Sequence, residues 1–299
     1  MFLTTTPRVA AGTCAAALAG MTVAAAAGFW LSLSSPEIAG TESLTVEDAV
    51  DTAAFVLFGV LGAVLLVRRR APGLGAALLV MAGAICLDYL LSGLADALAD
   101  GRVDPPATAR ALNVASEAAF VVAFFLLALA PLLLFPTGRL PSRRWRPIGA
   151  AALTGVGVSV LSVLLAPGPV DEDVPGWGEN PLGLDAAPGL VDALEVAGVV
   201  LLAASMLAGL AAYVTRWVRY RGPRRRQLAW FGVAVAVQVV GLVVDTNGKS
   251  VALEVALALT IFGGLLWGIG WPLLGPLGDR AEDADRLTVA RSEVEGAPA

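Results

Sequence analysis

Apolar residues in this chain do not alternate with polar ones; they come in runs of about twenty, separated by short polar stretches. Eight runs are readable, at roughly 9–33, 49–67, 72–98, 109–135, 148–166, 190–215, 228–244 and 251–274. About twenty apolar residues is the length a helix needs to cross hydrocarbon. A membrane barrel would instead show segments of about ten residues with alternating character. Lipid offers backbone amides no partner, so each run must satisfy its own hydrogen bonds as a helix. The pattern predicts an all-α polytopic membrane protein with about eight transmembrane helices over residues 1–275, then a short cytoplasmic tail, 276–299, without an ordered fold of its own. The first run follows Arg8 and contains Ala24-Ala25-Ala26, which together outline a secretory leader. It outlasts a leader's apolar stretch of about 7–15 residues and is read as a retained helix.

The polar stretches alternate in sign. Arginines crowd at 68–70, 139–146 and 216–226, while 37–48 and 171–185 carry acids and no base. Seventeen basic residues fall on one side of the eight-helix map and three, Arg102, Arg110 and Lys249, on the other. The positive-inside rule then places both termini in the cytoplasm and the chain in the plasma membrane. Composition agrees: 57% of residues are hydrophobic and only 15% charged, against about a quarter in soluble domains. The net charge of −5 says little about partners, because the charges are sorted by side.

The chain has no histidine, which removes the commonest general base, metal ligand and phosphoacceptor. Cys14 and Cys86 fall at different depths in apolar runs and are read as small buried hydrophobes, not a disulfide. No nucleophile–base pair, phosphate-cradling glycine loop or metal-ligand spacing occurs. The expectation is a protein that is not an enzyme, with no cofactor, no metal site and no nucleic-acid partner.

Candidate chemistry lies in the acids inside the apolar runs. Asp88, Glu117, Asp192, Glu195, Asp245 and Glu254 all map to the extracytoplasmic half of the membrane. Each costs about 2.5–3.5 kcal/mol near a bilayer centre, so they are expected to converge on a shared interior. Asp88, Ser92 and Asp96 recur every four residues on one helix face, and Asn113, Ser116 and Glu117 share another. Asp192 pairs in this way with Glu195, Gln238 with Asp245, and Ser250 with Glu254. The predicted site is a water-accessible acidic vestibule for a cation or an amine, formed by the six acids with Asn113 and Gln238. The alternative is that Asp192, Glu195 and Glu254 are merely interfacial acids favoured near helix N-termini. On the opposite side, Arg139, Arg143, Arg144, Arg146, Arg224, Arg225 and Arg226 are candidate contacts for anionic lipid or a partner. Pro72, Pro147 and Pro223 are expected in first helical turns. The stripe Gly12, Ala16, Gly20, Ala24, Gly28 is expected to pack closely against a neighbouring helix.

The stretch Phe135–Pro147, FPTGRLPSRRWRP, resembles a loop typical of the multi-pass N-terminal region of actinobacterial sensor histidine kinases, with Thr137 where an acid is frequent. Asn180-Pro181-Leu182-Gly183 resembles the NPLG element of that region. Arg219–Trp230, RYRGPRRRQLAW, is similar to its arginine-rich loop, with Arg225 in place of a more usual glutamate. The segment 283–287, DADRL, is similar to the start of its kinase linker. The resemblance implies a membrane input region without kinase output, since the chain stops about where the dimerisation and ATP-binding domains would begin and has no histidine to phosphorylate. It therefore implies a non-catalytic membrane sensor. Two other readings stay open: a small transporter or ion-coupled permease, and a structural or assembly protein. Candidate partners are the lipid bilayer, a separately encoded histidine kinase or other signalling protein, and a second copy of the chain.

Overall fold

A computed structural model describes residues 7–36, 46–171, 174–245, 263–264, 266–276, 279–280 and 283. Each apolar run within them is helical: α1 (Pro7–Ser34), α2 (Val46–Val67), α3 (Pro72–Ala99), α4 (Ala107–Leu134), α5 (Arg146–Leu165), α6 (Pro188–Arg219) and α7 (Gly222–Asp245). Residues 266–274 continue the helical pattern near the end of the chain. The helices α1 to α6 are long and apolar enough to cross a membrane. The protein is thus a membrane-embedded, multi-pass helical protein. Of the two further spans expected from sequence, the seventh corresponds to α7, and most of the eighth falls outside the described residues.

Sequence chemistry sets the helix boundaries. Pro72 and Pro147 occupy the first turns of α3 and α5, and Pro223 is the second residue of α7. Proline there loses no hydrogen bond, since those amides have no intrahelical acceptor. The arginine-rich stretch 216–226 is not the open loop its composition suggests. The helix α6 runs on to Arg219 and α7 starts at Gly222, so only Tyr220 and Arg221 connect them.

An antiparallel α3–α4 pair forms the spine. The flanks of α3 take α1 and α2, and α4 takes α5 and α6, which also pack on each other. Small residues allow the closest approaches. A Cβ on Gly28 of α1 would collide with the Tyr89 carbonyl of α3, and one on Gly93 of α3 with the carbonyl of Gly28. The rest of the predicted α1 stripe does not behave this way: nothing lies within 4 Å of where a Cβ on Gly12 or Gly20 would stand. The main core gathers Phe58, Leu65, Leu74, Leu78, Met81, Phe135, Phe231 and Ile269, and a second cluster joins Leu129, Leu133, Val156 and Leu202. Long aliphatic side chains elsewhere, such as Leu153, Val196 and Leu207, point outward, as suits a surface solvated by lipid.

Candidate functional site

The up-and-down order of the helices collects the acidic connections at one end and the arginine-rich ones at the other. Asp88 lies eleven residues before the end of α3 and Glu117 ten after the start of α4. At 1.5 Å per residue these are about 16 Å and about 15 Å from the acidic end, so antiparallel pairing brings the two acids to one depth. Asp88 is half-buried between the helices, beside the Ser116 hydroxyl and the Glu117 carboxylate. Ser116 is buried and donates to the Asn113 carbonyl at 2.8 Å, which holds this stretch of α4 together. Glu117 stands on the exposed edge of α4 and lies near Asp171 of the acidic loop.

That loop, 166–187, folds back over the spine. Val174 and Trp177 are buried against Ala95, Ala99 and Ala109. The Asp104 amide donates to the Gly176 carbonyl at 2.8 Å, and Arg110 pairs with Asp104 at 2.8 Å. Asn180 fastens the loop's far side. Its side-chain amide donates to the carbonyls of Leu164 (3.2 Å) and Ala166 (2.8 Å) at the end of α5, and its side-chain oxygen accepts from the Leu182 amide at 2.9 Å. A residue singled out as part of a motif is therefore a C-terminal helix cap.

Of the remaining predicted acids, Asp192 and Glu195 do not join Asp88 and Glu117. Asp96 accepts a 2.6 Å hydrogen bond from Ser32 of α1, whereas Asp88 faces α4. Eight residues advance a helix by a net angle of about 80°, so the expected single face of Asp88 and Asp96 spans two different neighbours. Asp192 and Glu195 are exposed on the first turns of α6 and are not drawn into the interior. These two acids stand apart from the expected convergence. An exposed carboxylate near the outer end of a helix keeps its hydration and needs no buried partner. Asn113 is half-buried in α4, one turn from Glu117. Gln238 and Asp245 belong to α7, but their side chains lie outside the described residues, as does Glu254 altogether.

Sequence reasoning missed two contributors at this end, Asp171 and Tyr89. Asp171 is brought to Glu117 by a loop fold that no periodicity records. Tyr89 donates to the Asp48 backbone carbonyl at 3.3 Å and lies close to Asp51, which ties the start of α2 to α3. Asp88, Asn113, Ser116, Glu117 and Asp171 form an anionic, hydroxyl- and amide-bearing patch open at one edge. Such a patch can hold a cation or an ammonium group through charge-assisted hydrogen bonds. Among the described residues no set of three His, Cys, Asp or Glu side chains is arranged to hold a metal ion.

At the arginine-rich end, Arg139, Arg143, Arg144, Arg146, Arg225 and Arg226 are exposed. Arg225 lies over Trp217 at 5.3 Å and Arg224 over Tyr220 at 5.5 Å, geometries of cation–π contact. Arg216, read from sequence as one more topology determinant, is buried instead. Its guanidinium donates to the carbonyls of Leu132 (3.0 Å), Leu133 and Arg139 (3.2 Å). These are the last acceptors of α4 and the turn beyond it, so Arg216 caps α4 from α6 with the charge sign that a helix C-terminus favours. Gln227 is buried and donates to the Pro272 carbonyl at 2.7 Å. Arg70 donates to the Leu273 carbonyl at 3.0 Å and pairs with Asp279 at 2.6 Å. Position one turn inside a helix end, facing a neighbouring turn, is the signal that separates Arg216 from the exposed arginines.

No protein-family model matches this chain, and neither a curated protein nor a solved structure does.

Proposed function

We propose that this protein is a non-catalytic signal-input module of the plasma membrane, with eight transmembrane helices, both termini in the cytoplasm and the acidic end outside. On this reading a cation or organic amine enters beside Asp88 and Glu117, with Asn113 and Ser116 as neutral hydrogen-bonding partners and Asp171 above. The single observation that carries it is the double attachment of α4. The outer half of α4 carries Glu117 beside Asp88, and its cytoplasmic end is gripped by Arg216 beside the exposed arginines of 139–146. A shift of α4 against α3 at the outer patch moves the cytoplasmic turn with it, because a helix transmits displacement along its axis. The resemblance of FPTGRLPSRRWRP and its companion motifs to histidine-kinase input regions supports the same assignment. It makes a separately encoded kinase the natural partner, with homodimerisation as the second association to test.

The test places a bimane fluorophore on the cytoplasmic turn (Ser142→Cys in a Cys14→Ala/Cys86→Ala background) in nanodiscs, where both faces are reachable. Titration with putrescine and with Mg2+ should change the emission saturably for at least one of them, and Asp88→Asn should abolish the change. The same protein in sealed vesicles should accumulate no labelled putrescine. A flat response at 142 would sink the sensor reading, and uptake that Asp88→Asn removes would replace it with the transporter.

A further inference from the structure

The remaining feature of note is a cleft in the arginine-rich half of the bundle, away from the acidic patch. The α1 helix meets α3 closely at Gly28 and Gly93 and, half-way along, where Met21 lies over Gly83. Leu18 reaches Gly59 of α2, while Gly12 and Gly20 are exposed on the outer face with nothing near the position of a Cβ. A groove of about 280 Å³ lies between α1 and α2. Its walls are apolar and mostly small, with Cys14, Ala15 and Leu18 on one side and Val60 and Val64 on the other. Its one charged lining residue, Arg68, stands at the arginine-rich mouth.

Arg68 and Arg69 are both exposed, and none of the described ion pairs involves either. Asp279, an acid of the same end, is engaged with Arg70. Among the described residues the mouth thus carries positive charge with no ion-pair partner, while the rest of the lining is apolar. A peptide or a second helix would need polar partners or a longer apolar face. An amphiphile with one anionic head and a flexible chain matches both parts.

The geometry points to a phospholipid-binding groove in which one acyl chain lies between α1 and α2 and the phosphate of an anionic headgroup meets Arg68 and Arg69. Occupancy holds α1 at its free end, where the protein itself provides little packing. This site is independent of the acidic patch and of the sensor reading.

The full chain is reconstituted in phosphatidylcholine vesicles containing one fifth phosphatidylglycerol, with bimane on Cys14 in a Cys86→Ala background. Dibrominated acyl chains are supplied on either lipid at equal total bromine content. Brominated phosphatidylglycerol should quench at least twofold more strongly than brominated phosphatidylcholine, and Arg68→Gln/Arg69→Gln should make the two equal. By native mass spectrometry of unlabelled protein released from nanodiscs, Ala15→Phe, which fills the groove and leaves the charges in place, should retain one phosphatidylglycerol fewer than wild type. Equal quenching by the two lipids in the unsubstituted protein would overturn the assignment. So would quenching relieved by raising the protein-to-lipid ratio, which would give the groove to a second copy of the chain.

Discussion

Replacing Arg216 with alanine should destabilise the bundle far more than removing any other described arginine at that end. Arg216 is 3% exposed, and its guanidinium gives three hydrogen bonds to backbone carbonyls of α4 and its following turn. In water-soluble proteins hydrogen bonds to charged groups contribute about 1.5–3 kcal/mol each. Interhelical bonds in membranes average nearer 0.6 kcal/mol, since the unfolded reference also finds partners. Arg216 lies at a helix end, between these limits, so about 1 kcal/mol per bond is reasonable, or about 3 kcal/mol in all. That corresponds to about two orders of magnitude in the unfolding equilibrium. Arg216→Lys keeps the positive charge at the α4 terminus but not the planar fork, and should lose about half as much. Reversible unfolding by a denaturing detergent in mixed micelles, followed by tryptophan fluorescence, measures both. Arg219→Ala, exposed one turn away, is the control and should stay within about 0.5 kcal/mol of wild type. If Arg216→Ala behaves like that control, the capping argument is wrong and Arg216 is only another topology determinant.

Gly93→Leu should lower the thermal midpoint and release α1 from the spine, since the new side chain would occupy the space held by the Gly28 backbone; overpacking costs about 1–3 kcal/mol, and an unchanged midpoint would contradict the crossing. Asn180→Ala removes both donors to the α5 carbonyls and should speed hydrogen exchange across 166–184 while α3 and α4 keep their protection. A double-mutant cycle with Ser32→Ala and Asp96→Ala should give a coupling of about 0.5–1.5 kcal/mol through their 2.6 Å hydrogen bond, and additive losses would deny the contact.

Much of this fold is legible in the sequence, because membrane solvation makes length and apolarity nearly sufficient. The residue ranges of α1 to α6 follow the apolar runs within a few positions, and the prolines mark helix starts as expected. The alternation of arginine-rich and acidic connections also anticipates which ends gather together. What sequence could not supply was the angular destination of each polar residue. Asp88 and Asp96, eight residues apart, share one face on paper, yet one meets α4 and the other α1. The composition of 216–226 suggested a basic loop, whereas helix propagation consumes all but two of its residues and buries one arginine. The approach of Asp171 to Glu117 depends on a loop that is held by backbone bonds and by Val174 and Trp177 in a shallow apolar seat.

The motif residues divide from the candidate ligand residues in a way that bears on what the resemblance means. Phe135 stacks on Phe231 at 4.9 Å between ring centres. Gly138, at φ +69°, packs on the Ala71 backbone. Asn180 caps α5, and Gln227 caps the helical segment at Pro272. Each of these fastens a turn to a helix, by stacking rings, satisfying a carbonyl or filling a backbone-to-backbone contact. Chains that share such fasteners share a way of closing loops, which constrains fold and connectivity and leaves the ligand open. Asp88, Glu117 and Asn113 belong to no motif; they lie mid-helix, where the surrounding pattern demands only apolar residues. On the proposed reading, binding specificity would rest on these exceptions to the hydrophobic pattern, and architecture rests on the motifs. Exchanging the mid-helix acids should change what the patch binds without disturbing how the turns are held.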